Sequence, residues 1–223
     1  MQLPPRRADA QRNSARVVRA AIAAFEEVGA AVPLEEVARR AGIGIATLYR
    51  LFGGRDGLVR EAFATFFIEE VEPLALAARA AENPWDGLAT ALAATVDALA
   101  AHRVLLDVAR ETGAVSVDVA EAYLLQLGDV LAAAQRGGQA RSDLVVRDLA
   151  AVVVMALATA QSKDPGGADR RRYLALLLAG MRPRDEQLPP PANTGFGSGT
   201  GRGAADATTS EWAGGSSHPG GAT

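Results

Sequence analysis

The 223-residue chain contains no cysteine, which excludes disulfide frameworks, thiolate metal sites and cysteine nucleophiles. Aromatic residues make up only 5% although hydrophobic residues reach 49%, so the apolar content is mainly alanine, with leucine and valine behind it. Alanine is the strongest helix former, whereas strands favour aromatic and β-branched side chains, so the shortage points to an all-α fold. Histidine occurs twice, and His218 lies in a Gly-, Pro- and Ser-rich stretch near the C-terminus. No Glu-x-x-His pair, phosphate loop or nucleophile elbow is present. The adjacent acidic pairs Glu26-Glu27, Glu35-Glu36 and Glu69-Glu70 diverge on a helix instead of forming a dyad. No catalytic residue, metal ligand or cofactor is therefore expected, and an enzyme on an all-α scaffold has little to support it. The N-terminus lacks an apolar signal segment and no apolar run approaches the roughly 18 residues of a membrane span. A cytoplasmic protein with no membrane partner is the expectation.

What the chain does have is concentrated at Leu34–Phe52, LEEVARRAGIGIATLYRLF. Leu34, Val37, Ala38 and Ala41 recur at i, i+3, i+4 and i+7, one apolar face of a helix. Gly42 follows directly, where a left-handed residue usually ends a helix. Ala38 is small enough for a second helix to cross closely, and Ile43 and Leu48 supply the plug. This is the pattern of a helix-turn-helix, although an ordinary αα-hairpin in a helical core shares it. The second helix, from about Ile45 to Phe52, turns Leu48 and Phe52 inward and leaves Thr47, Tyr49 and Arg50 outward. Their hydroxyl, phenol and guanidinium groups suit phosphate oxygens, and Thr47 or Arg50 can also reach base edges. Gly53-Gly54 breaks the chain, and Arg55-Asp56 opens a helix whose N-terminal amides can hold a phosphate.

Net charge is −3 and unevenly divided: ten arginines face six carboxylates through Arg60, a balance of +4, while the remainder holds 13 basic and 20 acidic residues. A basic head on an acidic body fits DNA contact by the first part alone. Four regions follow: a basic arm at 1–8 with Arg6 and Arg7, kept extended by its prolines and able to enter a minor groove; a helix-turn-helix DNA-binding domain at 9–57; a helical body at 58–182, to which the resemblance given below assigns ligand binding and dimerisation; and a disordered tail at 183–223. The first helix is expected from about Asp9 or Asn13 to Val28, with Gly29 as its stop. The tail is read from its Gly, Pro, Ser and Thr content, which cannot bury enough surface to fold.

Phe25 and Gly29, LEEVARRAGI at 34–43, TLYRLF at 47–52, and Arg55, Leu58 and Val59 together resemble the DNA-binding domain of the tetracycline-repressor (TetR) family of bacterial transcription regulators. The resemblance covers Arg12–Phe63. It implies a three-helix head, a connecting helix, and a helical ligand-binding and dimerisation domain. It further implies a homodimer on a palindromic double-stranded operator, released by a small-molecule effector. The family's DNA-contacting positions map onto Arg12, Gly44, Ile45, Ala46, Thr47, Tyr49, Arg50 and Arg55. Three positions depart from the family: Gly44 where a capping serine is frequent, Ile45 where a polar residue is common, and Leu51 where His or Tyr is. Base reading then leans on Thr47, Arg50 and the apolar surfaces of Ile45 and Ala46, which suit a thymine methyl. These losses also leave open a second reading, a helical interaction protein with a weakened DNA-binding head.

Apolar spacing continues from Leu58 to about Val71, and Pro73 must end or kink that helix. Further helices are expected at about 86–101, 103–112, 116–136, 145–162 and 168–180. Helix faces suggest an apolar effector pocket from Phe63, Phe67, Trp85, Leu92, His102, Leu106, Tyr123 and Leu127, suited to a hydrophobic or aromatic molecule; Phe63, Phe66 and Phe67 equally suit plain core. The stretch Ala150–Ala160 is apolar nearly all round and must be buried on several sides. With Leu174, Leu176, Leu177 and Leu178 it forms either a dimer surface through the last two helices or a monomer core. RGGQARSDLVVRDL at 136–149 resembles the turn before the penultimate helix in many actinobacterial-type members of the family.

Overall fold

The computed structural model of the chain describes residues 5–115, 117–159 and 166–191, with side chains from Asn13 onward except at 117–120. Among these residues every regular element is helical: α1 (Pro5–Val28), α2 (Leu34–Arg40), α3 (Ile45–Phe52), α4 (Arg55–Phe66), a π-helical turn (Phe67–Val71), α5 (Glu72–Ala80), α6 (Pro84–Ala101), α7 (Arg103–Glu111), α8 (Val117–Arg136), α9 (Val146–Ala158) and α10 (Ala168–Gly180). No single helix among the described residues is long and apolar enough to cross a membrane. The bent pair α6–α7 passes that test on length and composition, but its Leu88, Leu92, Val96 and Leu105 are fully buried in the protein's own core.

α1 begins at Pro5, earlier than its periodicity predicts. Proline tolerates a first helical position because its fixed φ suits the helix and its missing N–H has no partner to lose there. The arm expected at 1–8 is thus helical from Pro5, and residues 1–4 lie outside the described residues. Val17, Ala21, Ala24 and Phe25 of α1 meet Val37 and Ala38 of α2, Leu48 of α3 and Leu58, Val59 and Ala62 of α4 in one core, each at most 2% exposed. α2 ends as its glycine predicts: Gly42 stands at φ +66, with Gly42 N–H bonded to Arg39 O (3.1 Å) and Ile43 N–H to Ala38 O (3.0 Å). That pair of bonds is the Schellman closure, and it satisfies two carbonyls that a helix end leaves orphaned. On the outer side of α2, Glu36 accepts from Arg39 (2.7 Å) and Arg40 (2.8 Å), while Arg40 reaches Glu27 of α1 (2.5 Å). The bonds from Arg39 and Arg40 hold the Glu36 carboxyl down at about 2.

The regular register is interrupted where Pro73 predicts: a π-helical turn ends at Val71, and Pro73 stands in the first turn of α5, which carries the helical path on to Ala80. A wider i→i+5 turn is a known way to carry a helix past an obstacle. α5 folds back on α6, whose Asn83 cap accepts from the Asp86 amide at 3.1 Å. α6 bends into α7 by 80° at His102. α8 lies across α5 and α6, α9 across α6 and α8, and α10 on α9.

In the single chain α9 turns Leu149, Val152, Val153 and Ala156 to the core and leaves Ala151, Val154, Met155 and Ala158 exposed. One expectation about the C-terminal region is corrected: the segment after α10 is tied down at its start. Arg141, itself 8% exposed, pairs with Asp143 (2.8 Å) and donates to the Glu186 carbonyl (2.6 Å), and the Leu188 amide donates to Asp143 (2.7 Å). The bond from Arg141, then that from Leu188, hold the Asp143 carboxyl well below the usual range. Residues 160–165 and 192–223, including the end expected for α9 and most of the tail, lie outside the described residues.

α4 crosses the end of α3 without room for a side chain: a Cβ on Gly57 would stand 1.8 Å from the Phe52 carbonyl oxygen. Backbone cannot yield there as a flexible side chain would. Gly57→Ala is expected to lose about 3 kcal/mol of stability, the upper end for overpacking. Chemical denaturation checks this, and an unchanged midpoint would refute the close crossing.

Candidate nucleic-acid interface

α3 is held by one fully buried side chain, Leu48, with Ile45 and Phe52 half-buried beside it. Its outer face is then set by helical spacing: Ala46, Tyr49, Arg50 and Gly53 are exposed at i, i+3, i+4 and i+7, with Thr47 half-buried at their edge. Tyr49 is 51% exposed, a high value for a phenol ring on a small domain. Gly44 is exposed in the N-cap position with extended backbone, and no side chain caps the helix; its carbonyl accepts from the Thr47 amide at 2.9 Å. The head thus brings Gly44, Ala46, Thr47, Tyr49 and Arg50 to one surface.

Three predicted contact residues are not among these. Ile45 is half-buried and packs against the core, so it offers less apolar surface to a base than expected. Arg12 lies within α1, and its side chain is outside the described residues. Arg55 turns its guanidinium inward. Nη1 donates to the Val32 carbonyl (2.8 Å), Nη2 donates to the Ala30 carbonyl, and Cζ lies 5.4 Å over the Phe25 ring centre.

Except for His102, the residues expected to line an effector pocket belong to the hydrophobic core, and only Leu106 borders one of the grooves described below. Phe63 and Phe67 are neighbours at 6.1 Å, and Phe67 meets Tyr123 edge-on at 5.7 Å. The Tyr123 hydroxyl is hydrogen-bonded to Thr95 Oγ1, which donates to the Ala91 carbonyl at 2.7 Å; burial pushes the Tyr123 phenol up to about 12. Leu92 and Leu127 are fully buried. Trp85 lies instead beneath Arg182, whose Cζ is 4.6 Å from the ring centre. Trp85 and His102 bracket α6, about 25 Å apart by helical rise. Leu106 borders an open groove of about 460 Å³ between α6, α7 and α9. Similar grooves lie between α5 and α6 (about 450 Å³) and between α8 and α9 (about 380 Å³).

His102 has a role that its place in the sequence does not reveal. Its Nδ1 faces a carboxylate oxygen of Glu26 in α1, its Nε2 is 3.2 Å from Glu70 Oε2 in the π turn, and its ring is 4.5 Å from that of Phe66. It joins the head, the connecting helix and the α6–α7 bend. Glu69, beside Glu70, pairs with Arg19 of α1 at 3.8 Å. Adjacent carboxylates in 69–70 and a histidine at a predicted helix break were visible in the sequence; that they meet was not.

Comparison with known proteins agrees with this geometry. The family model of bacterial regulatory proteins of the tetR family matches residues 17–62, and that of SbtR-like transcriptional regulator C-terminal domains matches residues 121–183. A TetR transcription regulatory protein from Mycobacterium vanbaalenii is 33% identical over 80% of this chain and 99% of its own, with a TM-score of 0.54. A TetR transcriptional regulator from Streptomyces coelicolor is 28% identical over 76% of this chain and 98% of its own, with a TM-score of 0.55. The regulator FadR from Bacillus subtilis, solved with stearoyl-CoA, shares the fold at a TM-score of 0.60 and 18% identity, over 75% of this chain and 98% of its own. No curated protein matches the chain. An all-α architecture with an N-terminal helix-turn-helix and a helical C-terminal domain is the class this defines. The chain belongs to the TetR family of bacterial transcriptional regulators.

The uncapped start of α3 yields a direct test. Gly44 has φ −73 and ψ 146, open to any L-residue, and a Cβ there would meet nothing within 4 Å. Gly44→Ser should therefore supply the missing cap and raise stability by a few tenths to about 1 kcal/mol. Thermal denaturation reads this, and a destabilised variant would contradict the described helix start.

Proposed function

We propose that this regulator is a repressor that binds a palindromic operator as a homodimer and is released by a small apolar or aromatic effector. The observation that carries the DNA reading is the exposed face of α3, where Ala46, Thr47, Tyr49 and Arg50 stand together on a helix anchored only by Leu48 and its two half-buried neighbours. Tyr49 and Arg50 would donate to phosphate, and Thr47, Arg50 and the methyl of Ala46 would read base edges. The retained promoter fragment upstream of the protein's own gene is the natural probe. Binding should fall about a hundredfold or more between roughly 50 and 200 mM salt, because phosphate contacts release counterions. Tyr49→Ala should weaken it by about tenfold or more, the worth of one hydrogen bond to a charged group. No retention at low salt would refute DNA binding. An unchanged affinity of Tyr49→Ala would favour the second reading, a helical interaction protein whose head is weakened by the absence of polar side chains at 44 and 45.

The dimer reading rests on two apolar stripes. α9 exposes Ala151, Val154, Met155 and Ala158, and α10 exposes Tyr173 and Leu176; Val154 is 55% and Leu176 62% exposed. Adjacent stripes of this kind on packed helices suit a two-fold four-helix interface. A dimer would place two recognition helices one DNA turn apart, about 34–36 Å. The effector reading rests on the aromatic cluster of Phe63, Phe67 and Tyr123, where the Tyr123–Thr95 pair is a buried polar handle. Occupancy there would act on DNA only through unequal affinity for the two conformations of the head. The interface has its own measurement. Light scattering should give a dimer at micromolar concentration, and Leu176→Glu should give a monomer whose operator affinity is about a hundredfold lower, as tethering of the second head is lost. A wild-type monomer would refute it.

A further inference from the structure

Arg55 opens α4, and the family resemblance assigns this position a phosphate. Its side chain has other partners. Nη1 donates to Val32 O at 2.8 Å, Nη2 donates to Ala30 O, and the guanidinium plane lies over Phe25, with Cζ 5.4 Å from the ring centre. Two carbonyls two residues apart, on one side of a turn, match the rigid fork of a guanidinium, and an aromatic face suits its flat, weakly hydrated surface. The two carbonyls belong to the turn between α1 and α2, and Phe25 to the last turns of α1. Arg55 thus joins the start of α4 to the start of α2. α3 lies between those two points and has few anchors of its own: Leu48 is buried, Ile45 and Phe52 are half-buried. A fixed span between α2 and α4 is what sets the angle of α3. The two bonds take two of the guanidinium's five N–H donors and, with the ring beneath it, fix the plane of the group.

We infer that Arg55 is a positioning residue for DNA recognition: by the shape of its fork, not by its charge, it sets the recognition helix by bracing α4 against the α1–α2 turn. This rests on the DNA-binding reading above. It separates two properties that a phosphate ligand would combine, charge and shape. Lysine keeps the charge, but cannot fork across both carbonyls while lying flat on Phe25.

The test uses the full chain, the promoter fragment upstream of its gene and an unrelated fragment of equal length. Arg55→Lys, Arg55→Met and, as a phosphate-contact control, Arg50→Gln are compared at a temperature where each keeps wild-type helicity. A brace predicts that Lys and Met behave alike. Both lose about tenfold or more of promoter affinity and lower the ratio of promoter to unrelated-fragment affinity, and the slope of log K against log salt stays at the wild-type value. A phosphate ligand predicts that Lys is near wild type and that Met lowers the slope by about 1 per protomer, as Arg50→Gln should; that result overturns the inference. Global weakening of the fold would lower both affinities equally, which also overturns it. If the variants do not fold, the wild-type guanidinium resonances give the answer. Arg55 signals shifted by the Phe25 ring and unmoved on adding DNA support the brace; unshifted signals, or signals that move with DNA, refute it. Failure of the wild type to retain any DNA is a failure of the DNA reading, and the ring-shifted resonances of the protein alone then still decide whether the brace exists.

Discussion

The crossing of α4 over the end of α3 is the contact on which the rest of the molecule depends. Gly57 lies so close to the Phe52 carbonyl that no side chain fits between them, and one turn further on Leu58, Val59 and Ala62 are already in the head's core. The same helical path then runs through Phe66 and the π turn into α5 and the body. One rod therefore runs through head and body, along a single continuous core. Its N-terminal end sets where the recognition helix lies, and its far end is packed among α6 and α8. A displacement at either end cannot be absorbed locally, since close-packed interiors transmit strain.

The junction between head and body carries a set of polar contacts beside the continuous core. His102 stands at the α6–α7 bend with Glu26 of α1 on one ring nitrogen and Glu70 of the π turn on the other, while Arg19 of α1 approaches Glu69. Both carboxylates of the 69–70 pair thus face partners tied to the head, directly or through His102, although neighbouring helix positions ordinarily diverge. The π turn has a wider register than an α-turn, so residues 69 and 70 sit at angles that a regular helix would not give them. The Pro73 obstacle and the head–body contacts are in this way parts of one feature. The π turn also carries Phe67, which meets Tyr123 in the body.

How much of this was legible from the sequence follows from the range of each interaction. The helix-turn-helix was legible because its determinants are local: the apolar spacing of Leu34, Val37, Ala38 and Ala41, a glycine that closes a Schellman turn, and Leu48 one helix later. The helix breaks at Gly29, Gly53 and Gly137-Gly138 were legible for the same reason. The exposed face of α3 followed once Leu48 was placed inward. What pattern reading missed depends on groups far apart in the chain. The Arg55 fork closes over 23 and 25 residues, the His102–Glu70 contact over 32, and the Arg141–Glu186 bond over 45. Charged side chains carry no periodic signature of their partners. Nothing near Arg55 or His102 in the sequence therefore announces the contacts each makes across a junction.

Composition gives the body a different kind of packing from the head. The body is built largely on alanine, and its helices approach closely, as at Gly87, where a Cβ would stand 2.6 Å from the Ala78 carbonyl. Close approach leaves little enclosed space, and the grooves described lie at the surface between helix pairs. The exception in chemistry is Thr95 with Tyr123, a hydroxyl pair buried among leucines and phenylalanines beneath the π turn. Two hydroxyls there carry a desolvation penalty that aliphatic residues of like size would avoid, and the pair offsets it only by bonding to each other and to Ala91. A molecule that replaced those bonds would part α6 from α8 where the connecting helix leans on both. The head would feel that movement through the same rod that positions α3.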